Sequence, residues 1–225
     1  MAGTLFVVAT PIGNLNDVSE RAKVTLSSVD AILAEDTRVT SKLLAKLEIK
    51  KTLITYHQHS DKKRESEILH RLANGETLAL VSDAGTPGIS DPGGKLIEEI
   101  VREFGDDVVI TPIPGPNAAA TALSVAGFPA DEFLFLGFPP HKKGRNTFFD
   151  RIANTTSTIV FFESTHRIQK ALETMNERMS DRRLLVAREL TKLHETLYRG
   201  NAKEILEKLN ATSTKGEFVV VVAPK

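Results

Sequence analysis

Short apolar runs alternate with stretches of helical periodicity throughout the first half of the chain, and this alternation constrains the fold more than any other feature. The runs are apolar on both faces and rich in β-branched residues, which is typical of strands buried in a parallel sheet. They occupy residues 5–9, 31–35, 52–56, 77–82 and 108–111. Strands separated by helices require right-handed crossovers, so we predict an α/β fold with a largely parallel sheet covered on both faces.

Two of the intervening stretches show an apolar helical stripe that ends at a stop signal. The first stripe stops at Asn74 and Gly75 and consists of Ile68, Leu69 and Leu72. The second stops at Gly105 and consists of Leu96, Ile97, Ile100, Val101 and Phe104. Because Gly and Asn tolerate the left-handed conformation that commonly ends a helix, we predict two helices with these boundaries.

The chain changes character after residue 112. Prolines become frequent, and the apolar runs that follow are separated by fewer or shorter helices. These runs occupy residues 133–138, 157–163, 184–189, 195–200 and 217–223. We predict two α/β domains, residues 1–112 and 113–225, of which the second contains a mixed sheet.

Two segments of the second domain have clear local patterns. One helical face carries Ile168, Ala171, Leu172, Met175 and Met179, and we interpret its methionines as core residues. The segment ARELTKLHETLYRG, residues 187–200, has the pattern of two strands joined by a tight turn. Such strands pair antiparallel, which is the basis for predicting a mixed sheet.

Composition excludes several kinds of site and protein. The chain has 225 residues, with 29 Lys plus Arg against 29 Asp plus Glu, and no Cys. Disulfides, thiolate metal sites and a cysteine nucleophile are therefore excluded. A net charge of zero provides no overall field for nucleic acid, so an anionic partner needs a local patch. Without an N-terminal secretion signal or an apolar run of about 20 residues, we expect a soluble cytoplasmic protein with no membrane partner.

Four segments rich in small or charged residues follow the predicted strands of the first domain. They read TPIGN at 10–14, EDTR at 35–38, SDAGTPGISDPGG at 82–94 and PIPGPNAAA at 112–120. The carboxyl ends of parallel strands meet at one sheet edge, where ligands bind. Small residues let a ligand approach backbone amides and helix N-termini. Because three of the four segments are rich in Gly and Pro, we predict a small-molecule site here rather than ordinary surface turns.

Standard nucleotide, hydrolase and metal motifs are absent from the sequence. It contains neither GxxxxGK followed by Ser or Thr nor GxGxxG, and neither GxSxG nor HExxH. His57 and His59 lie two residues apart without further clustered ligands, so no metal site is expected. The residues alone therefore predict a two-domain α/β protein with a small-molecule cleft.

Seven segments, in order along the chain, are similar to the motifs of one known family. They are VATPIGNLNDVSERA, AEDTRVTSKLL, LVSDAGTPGISDPG, PIPGPNAAATALSVAG, FFESTHRI, VARELTKLHET and KGEFVVVV. From Leu5 to Val222 the chain resembles the ribosomal RNA small subunit methyltransferase I family of the tetrapyrrole methylase superfamily. The resemblance implies S-adenosylmethionine bound between two α/β domains. It also implies methyl transfer to the 2′-hydroxyl of a cytidine in the decoding region of small-subunit ribosomal RNA.

The resemblance also implies which residues bind the cofactor, position by position. They are Pro11 and Ile12 after the first strand, Asp83, Gly85, Thr86 and Pro87 after the fourth, Asn117 and Ala118 after the fifth, and Phe162 and Ala187 in the second domain. For Asp83 and Asn117 the alternative role is that of a turn or helix cap. Many family members continue past the last strand with a basic helical tail, whereas this sequence ends at Lys225, so no tail contact with RNA is expected.

Methyl transfer to a hydroxyl requires positioning of the reactants and a group that takes the proton. Charged residues that follow predicted strands are the catalytic candidates. They are Glu35, Asp36, Arg38, Glu163 and Arg188, with His166, Glu189 and Lys192 in the same clusters. A carboxylate, His or Lys would accept the proton, and a cation would stabilise the oxyanion. The alternative for each is an ion pair that ties a loop to its domain, and the sequence does not select the base.

RNA recognition requires a local basic patch because the chain is neutral overall. HKKGR at 141–145 is the strongest basic run, and its Lys142, Lys143 and Arg145 are the predicted RNA-binding residues. The alternative is an ordinary solvated surface loop. The superfamily implies a homodimer, which would double the basic surface. A 2′-hydroxyl target implies RNA, either free or in the assembled small ribosomal subunit, and not DNA.

Two other functions remain open at the level of sequence. One is C-methylation of a corrin precursor or another tetrapyrrole by the same fold. The other is a non-catalytic module that binds the donor or the ribosome, because a fold does not guarantee a function. Titration with the donor tests whether the cleft binds it. Parallel assays with RNA and with a tetrapyrrole precursor test which acceptor is methylated.

Overall fold

The computed structural model describes residues 2–57, 60–91 and 93–225, so His59 of the histidine pair lies outside the described residues. The chain divides into two compact units, Met1–Asn117 and Ala118–Lys225. Each unit contains one five-stranded sheet. The domain boundary predicted after residue 112 falls inside the last strand of the first sheet, Val109–Ile113.

The sheet of the first unit is entirely parallel. Its strands are β1 (Thr4–Val8), β2 (Ala31–Ala34), β3 (Thr52–Thr55), β4 (Thr77–Val81) and β5 (Val109–Ile113). They are arranged in the order β3-β2-β4-β1-β5, and every adjacent pair runs parallel. Because all five predicted runs form strands, the predicted parallel sheet is confirmed.

Helices cover both faces of the first sheet. They are α1 (Glu20–Ser28), α2 (Thr37–Lys46), α3 (Lys62–Ala73) and α4 (Gly93–Phe104), with a 3-10 turn at Leu15–Asp17. Ile32 packs with residues of α1 and α2, whereas Leu33 packs with residues of α3 and α4, because successive strand residues point to opposite faces. Both predicted helix ends are confirmed, although Val101 of the predicted stripe is 52% exposed.

The sheet of the second unit is mixed, as predicted. Its strands are β6 (Phe133–Phe135), β7 (Thr158–Ser164), β8 (Leu184–Arg188), β9 (Thr196–Gly200) and β10 (Glu217–Val222). The order is β6-β7-β10-β8-β9. Only the β6 and β7 pair is parallel among these neighbours, and the other three pairs are antiparallel.

Helices of the second unit pack on this mixed sheet. They are α5 (Ala118–Ser124), α6 (Arg145–Asn154), α7 (Ile168–Met179) and α8 (Ala202–Ala211). All five residues predicted for one face of α7 are buried, which confirms that its methionines belong to the core. Phe149 of α6 and Ile205 of α8 join the same apolar cluster. None of the helices in the described ranges is long and apolar enough to cross a membrane.

Strands β8 and β9 are antiparallel as predicted, but residues 189–195 join them, so the prediction of a tight turn is wrong. The Glu189 carboxylate accepts hydrogen bonds from the Glu217 amide at 2.8 Å and from Lys192 Nζ at 3.0 Å. These bonds hold the start of the connection against β10 and prevent an immediate reversal. Leu193 in this connection is 93% exposed.

Candidate active site

Backbone hydrogen bonds join the loops that follow β1 and β4. The Thr10 amide donates to the Gly85 carbonyl at 2.9 Å, and the Gly85 amide donates to the Thr10 carbonyl at 3.1 Å. The Thr10 hydroxyl donates to the Ser82 carbonyl at 3.2 Å. Since Thr10 and Ser82 are buried, these bonds satisfy the backbone and fix the two loops against each other.

Gly85 occupies a position in this pair of loops that other residues fit poorly. Its φ is +84°, and an added Cβ would lie 3.3 Å from Cγ2 of Ile12. The neighbouring Thr86 hydroxyl donates to the Pro116 carbonyl at 3.1 Å, which ties the β4 loop to the β5 loop. The structure therefore brings Ile12, Gly85 and Thr86 together at the carboxyl edge of the first sheet.

Sequence reasoning missed three residues that hold these loops, namely Thr10, Ser82 and Gly115. Thr10 and Ser82 supply the buried hydroxyls that cap the loop carbonyls. A Cβ at Gly115 would lie 3.0 Å from Cβ of Ala9, so glycine permits the close approach of the β5 loop to the end of β1. The sequence feature that could have pointed to these three residues is the run of small residues that follows each strand.

Asp36 is committed to local contacts at the start of α2. It is the N-cap residue, and its Oδ1 accepts from the Arg38 amide at 2.8 Å. Its carboxylate also pairs with the Arg38 guanidinium, with Nη2 2.6 Å from Oδ2. Hydrogen bonds from the Arg38 side chain and amide lower the pKa of Asp36 to about 2. The Asp36 amide in turn donates to Asp83 Oδ1 at 3.0 Å, so Asp83 organises the same turn.

Glu35 behaves oppositely, although it is the adjacent residue. Burial raises the pKa of Glu35, and repulsion from the Asp83 and Asp91 carboxylates raises it further. Asp91 is held in place because its Oδ1 accepts from the Gly88 amide at 2.7 Å and from the Gly93 amide at 2.8 Å. The edge of the sheet thus collects mutually repelling carboxylates. Within residues 2–57, 60–91 and 93–225, no group of three potential ligands is arranged to hold a metal.

Glu163 in the second unit lies in a buried ion-pair cluster. Its side chain is fully buried, with Oε2 3.0 Å from Arg145 Nη2 and Oε1 3.1 Å from Arg167 Nε. This environment takes Glu163 out of our set of candidate bases, because the carboxylate faces two guanidinium groups inside the unit. Arg145, predicted to bind RNA, is 8% exposed in the free chain, and its guanidinium pairs with Glu163.

The remaining predicted residues lie in strands, in loops or beside the start of α5. Phe162 packs edge-on against Phe135 at 5.0 Å, and Ala187 is buried in β8. The Arg188 guanidinium donates to the Lys215 carbonyl at 2.6 Å and to the His194 carbonyl at 3.3 Å, so it contacts both the segment before β10 and the segment before β9. His166 is exposed. Lys192 pairs with Glu189 and Glu217. Asn117 ends the first unit and Ala118 begins α5 of the second.

The chain matches the family model of the tetrapyrrole (corrin/porphyrin) methylases over residues 4–206. It is 45% identical over 223 residues to the ribosomal RNA small subunit methyltransferase I of Thermotoga maritima, covering 99% of both chains. The chain belongs to the ribosomal RNA small subunit methyltransferase I family. The Bacillus subtilis protein of this family is 44% identical over 222 residues, which cover 98% of this chain and 75% of that protein. The resemblance drawn from the motifs is therefore confirmed.

Solved structures show that this methyltransferase has the tetrapyrrole methylase fold. The methyltransferase CobJ superposes with a TM-score of 0.71 at 20% identity and covers 99% of this chain and 95% of its own. Diphthine synthase gives a TM-score of 0.73 at 14% identity, covering 98% and 90%. Uroporphyrin-III C-methyltransferase from Thermus thermophilus, complexed with S-adenosylhomocysteine, gives 0.66 at 14% identity, covering 98% and 97%. These likenesses support the fold alone.

Proposed function

We propose that the chain is a cytoplasmic methyltransferase that transfers the methyl group of S-adenosylmethionine to a cytidine 2′-hydroxyl in the decoding region of small-subunit ribosomal RNA. One observation carries the proposal, namely the 45% identity with a ribosomal RNA methyltransferase over 99% of both chains. The tetrapyrrole C-methyltransferases share only 14–20% identity with this chain, although they share its fold. Identity over the full length therefore favours RNA over a tetrapyrrole as the acceptor.

The loops at the carboxyl edge of the first sheet fit the donor. Pro11, Ile12, Gly85, Thr86 and Pro87 would line it with small side chains and exposed backbone, since Gly85 lacks a Cβ that would meet Ile12. The donor supplies an electrophilic methyl group on a positively charged sulfur. Asn117, Ala118, Phe162 and Ala187 remain proposed donor contacts on the strength of the family motifs.

The charge of this edge is complementary to a cationic ligand. Repulsion from Asp83 and Asp91 contributes to the raised pKa of Glu35, so a positive charge nearby would relieve an unfavourable interaction that the free protein carries. The Asp83 carboxylate carries one of these negative charges, and its Oδ1 also accepts a hydrogen bond from the Asp36 amide, which holds it in place. We therefore assign Asp83 to the recognition of the positively charged part of the donor.

Glu35 is the best candidate for the base among the proposed catalytic residues. A base for the hydroxyl proton should have a pKa closer to neutrality than an ordinary carboxylate, and the pKa of Glu35 is raised. The Asp36 carboxylate is a poor acceptor because its pKa is about 2 and Arg38 occupies its oxygens. Arg38 itself is largely exposed and would supply positive charge for the developing oxyanion.

Incubation with methyl-labelled S-adenosylmethionine tests the function directly. Small-subunit RNA, assembled small subunits and a tetrapyrrole precursor are offered in parallel, and the labelled product is digested to nucleosides. We expect label in 2′-O-methylcytidine at one site of the RNA. Label in the tetrapyrrole, or donor binding without transfer to any acceptor, would support one of the two alternative functions instead.

Removing the charge of Asp83 is expected to weaken donor binding. Asparagine keeps an oxygen that can accept from the Asp36 amide, so Asp83→Asn isolates the effect of charge. We expect the dissociation constant for S-adenosylhomocysteine and S-adenosylmethionine, measured by calorimetry, to rise about 5- to 20-fold, with the larger loss for the cationic donor. Equal affinity in both proteins would remove Asp83 from the site.

Replacing the two exposed lysines of the HKKGR segment, Lys142 and Lys143, is expected to weaken RNA binding. Lys142 and Lys143 are exposed, whereas Arg145 is buried, so Lys142→Ala/Lys143→Ala removes the accessible charge of HKKGR without breaking an ion pair. The slope of the logarithm of affinity against that of salt concentration should fall by about 1 to 2. An unchanged slope would return the loop to ordinary surface.

A homodimer is part of the same proposal. Because Lys plus Arg and Asp plus Glu both number 29, a single copy has no net charge with which to hold RNA. A dimer would carry two HKKGR segments, and once one of them binds an RNA phosphate the other is held at a high effective concentration near the same RNA. Sedimentation velocity of the purified chain, with and without RNA, tests the pairing.

A further inference from the structure

Glu163 holds two arginines from two different segments of the second unit. Arg145 is the first residue of α6, and Arg167 immediately precedes α7. Oε2 of Glu163 lies 3.0 Å from Arg145 Nη2, and Oε1 lies 3.1 Å from Arg167 Nε and accepts from the Ser164 amide at 2.8 Å. Among the described residues, Glu163 is the one acidic residue classed as buried.

The same cluster fixes both ends of the segment 139–145, which we term the basic loop. At its start, Arg167 Nη1 donates to the Pro139 carbonyl at 3.1 Å. At its end, Arg145 is bound to Glu163 and stacks over the Phe149 ring at 5.1 Å. The residues between these anchors include the exposed Lys142 and Lys143. One carboxylate thus fixes the path of a loop whose middle carries accessible positive charge.

The composition of the cluster is poorly suited to stability alone. It places two guanidinium groups beside one carboxylate, and Arg145 Nη1 is buried without a hydrogen-bond partner among the described residues. Buried ion pairs carry a desolvation cost that apolar residues of similar volume avoid, and in some proteins such pairs serve to fix one specific arrangement. The surplus positive charge at the end of the basic loop also adds to the field of Lys142 and Lys143.

We propose that Glu163 is a positioning residue for RNA binding, which acts through Arg145 and Arg167 to hold the basic loop in one conformation. This inference rests on the proposed function, in which Lys142 and Lys143 contact RNA phosphates. A loop that is already ordered loses less conformational entropy when it binds, so the two lysines bind more tightly than they would on a mobile segment. Glu163 itself remains buried and touches neither the donor nor the RNA.

A double-mutant cycle tests this role. Four proteins are compared for affinity to a small-subunit RNA transcript: the unchanged chain, Glu163→Gln, Lys142→Ala/Lys143→Ala, and the combination of all three substitutions. Glutamine keeps the shape of Glu163 but not its charge. We expect Glu163→Gln to weaken RNA binding about 3- to 10-fold in the unchanged chain, and by less than about twofold once both lysines are absent. In steady-state transfer, KM for RNA should rise while kcat is retained.

Asp150→Asn is the matched control. It removes a carboxylate that pairs with Arg178 at 2.8 Å, also between α6 and α7 but outside the basic loop. RNA affinity should be unchanged in this variant, and S-adenosylhomocysteine affinity should be unchanged in all of them. If Glu163→Gln does not fold, Arg167→Met takes its place, because it removes the tie to Pro139 and leaves the Arg145 pair.

The outcomes separate this inference from the proposed function. If the lysine substitutions weaken RNA binding and Glu163→Gln does not, or if the two effects simply add, the positioning role is overturned while RNA binding by the loop stands. If the lysine substitutions do not change the RNA affinity although the unchanged chain binds RNA, the basic loop does not contact RNA. RNA binding by Lys142 and Lys143 and the positioning role of Glu163 are then both contradicted. Failure of the unchanged chain to bind or methylate RNA would contradict the proposed function itself.

Discussion

Glu35→Gln is expected to lower the rate constant for methyl transfer by about 100-fold or more. Glutamine occupies nearly the same volume and cannot accept the hydroxyl proton at neutral pH. The measurement is a single-turnover experiment with labelled donor and saturating RNA, which separates chemistry from binding and product release. A rate within a factor of three of the unchanged chain would show that another group, or solvent, takes the proton.

The pH dependence of transfer gives a second test of Glu35. The base must be ionised, and burial together with the Asp83 and Asp91 charges raises the pKa of Glu35. The acidic limb of kcat/KM against pH, which reports the free enzyme, should therefore lie above the ordinary value for glutamate and should vanish in Glu35→Gln. Asp36→Asn is the matched control, because the pKa of Asp36 is about 2 and its oxygens serve Arg38. We expect it to retain this limb.

Stability should respond to Glu35→Gln in the opposite direction from activity. A carboxyl group whose pKa is raised by folding favours the protonated form, so the stabilisation present at acidic pH is lost as the pH rises through that value. At pH 7 the ionised Glu35 therefore opposes folding, and its replacement should leave the melting temperature equal or higher. A lower melting temperature at pH 7 would indicate a structural role for the carboxylate.

Gly85→Ala is expected to lower donor affinity about tenfold, or about 1.4 kcal/mol, because the new methyl group would displace Ile12, a proposed donor contact. The added Cβ lies 3.3 Å from Ile12 Cγ2, and φ at this position is +84°. The left-handed backbone alone costs about 1–2 kcal/mol of folding free energy. Calorimetric titration with S-adenosylhomocysteine measures the affinity, and denaturant unfolding measures the stability.

Gly127→Ala separates the backbone cost from the effect on the site. Gly127 has φ +72°, and nothing lies within 4 Å of an added Cβ. Both variants should lose the stability that the left-handed backbone costs, with a further loss in Gly85→Ala from the contact with Ile12, and only Gly85→Ala should lose donor affinity. Equal donor affinity in the two variants would mean that the loops at this edge do not form the donor site.

Much of the fold could be predicted because it depends on local patterns. Apolar runs marked all ten strands, and stop signals such as Gly75 and Gly105 marked helix ends that the structure confirms. The mixed character of the second sheet followed from the antiparallel pattern of residues 187–200. Family motifs placed Ile12, Gly85 and Thr86 in one site, and the structure brings these three together.

Other features could not be predicted because they arise from contacts distant in sequence. Glu163 and Arg145 lie in segments that resemble exposed charged loops, and only the packing of α6 against the end of β7 buries them together. Glu35 and Asp36 are adjacent acids with opposite pKa shifts. Burial and then the neighbouring carboxylates raise the pKa of Glu35, whereas hydrogen bonds from Arg38 lower the pKa of Asp36. Neither difference is visible in residue type or spacing.

The pairing of β1 affects how the chain can fold during its synthesis. β1 is hydrogen-bonded on one side to β4 and on the other to β5, so a nascent chain carries this apolar segment unpaired until Val81 has emerged from the ribosome. At about 5–20 residues per second, the wait lasts roughly 4–15 s. Throughout that interval the apolar side chains of β1 have no neighbouring strand to pack with, and exposed apolar segments of this kind favour aggregation. A chain released before Ile113 has been synthesised lacks β5, the edge strand that pairs with the other side of β1.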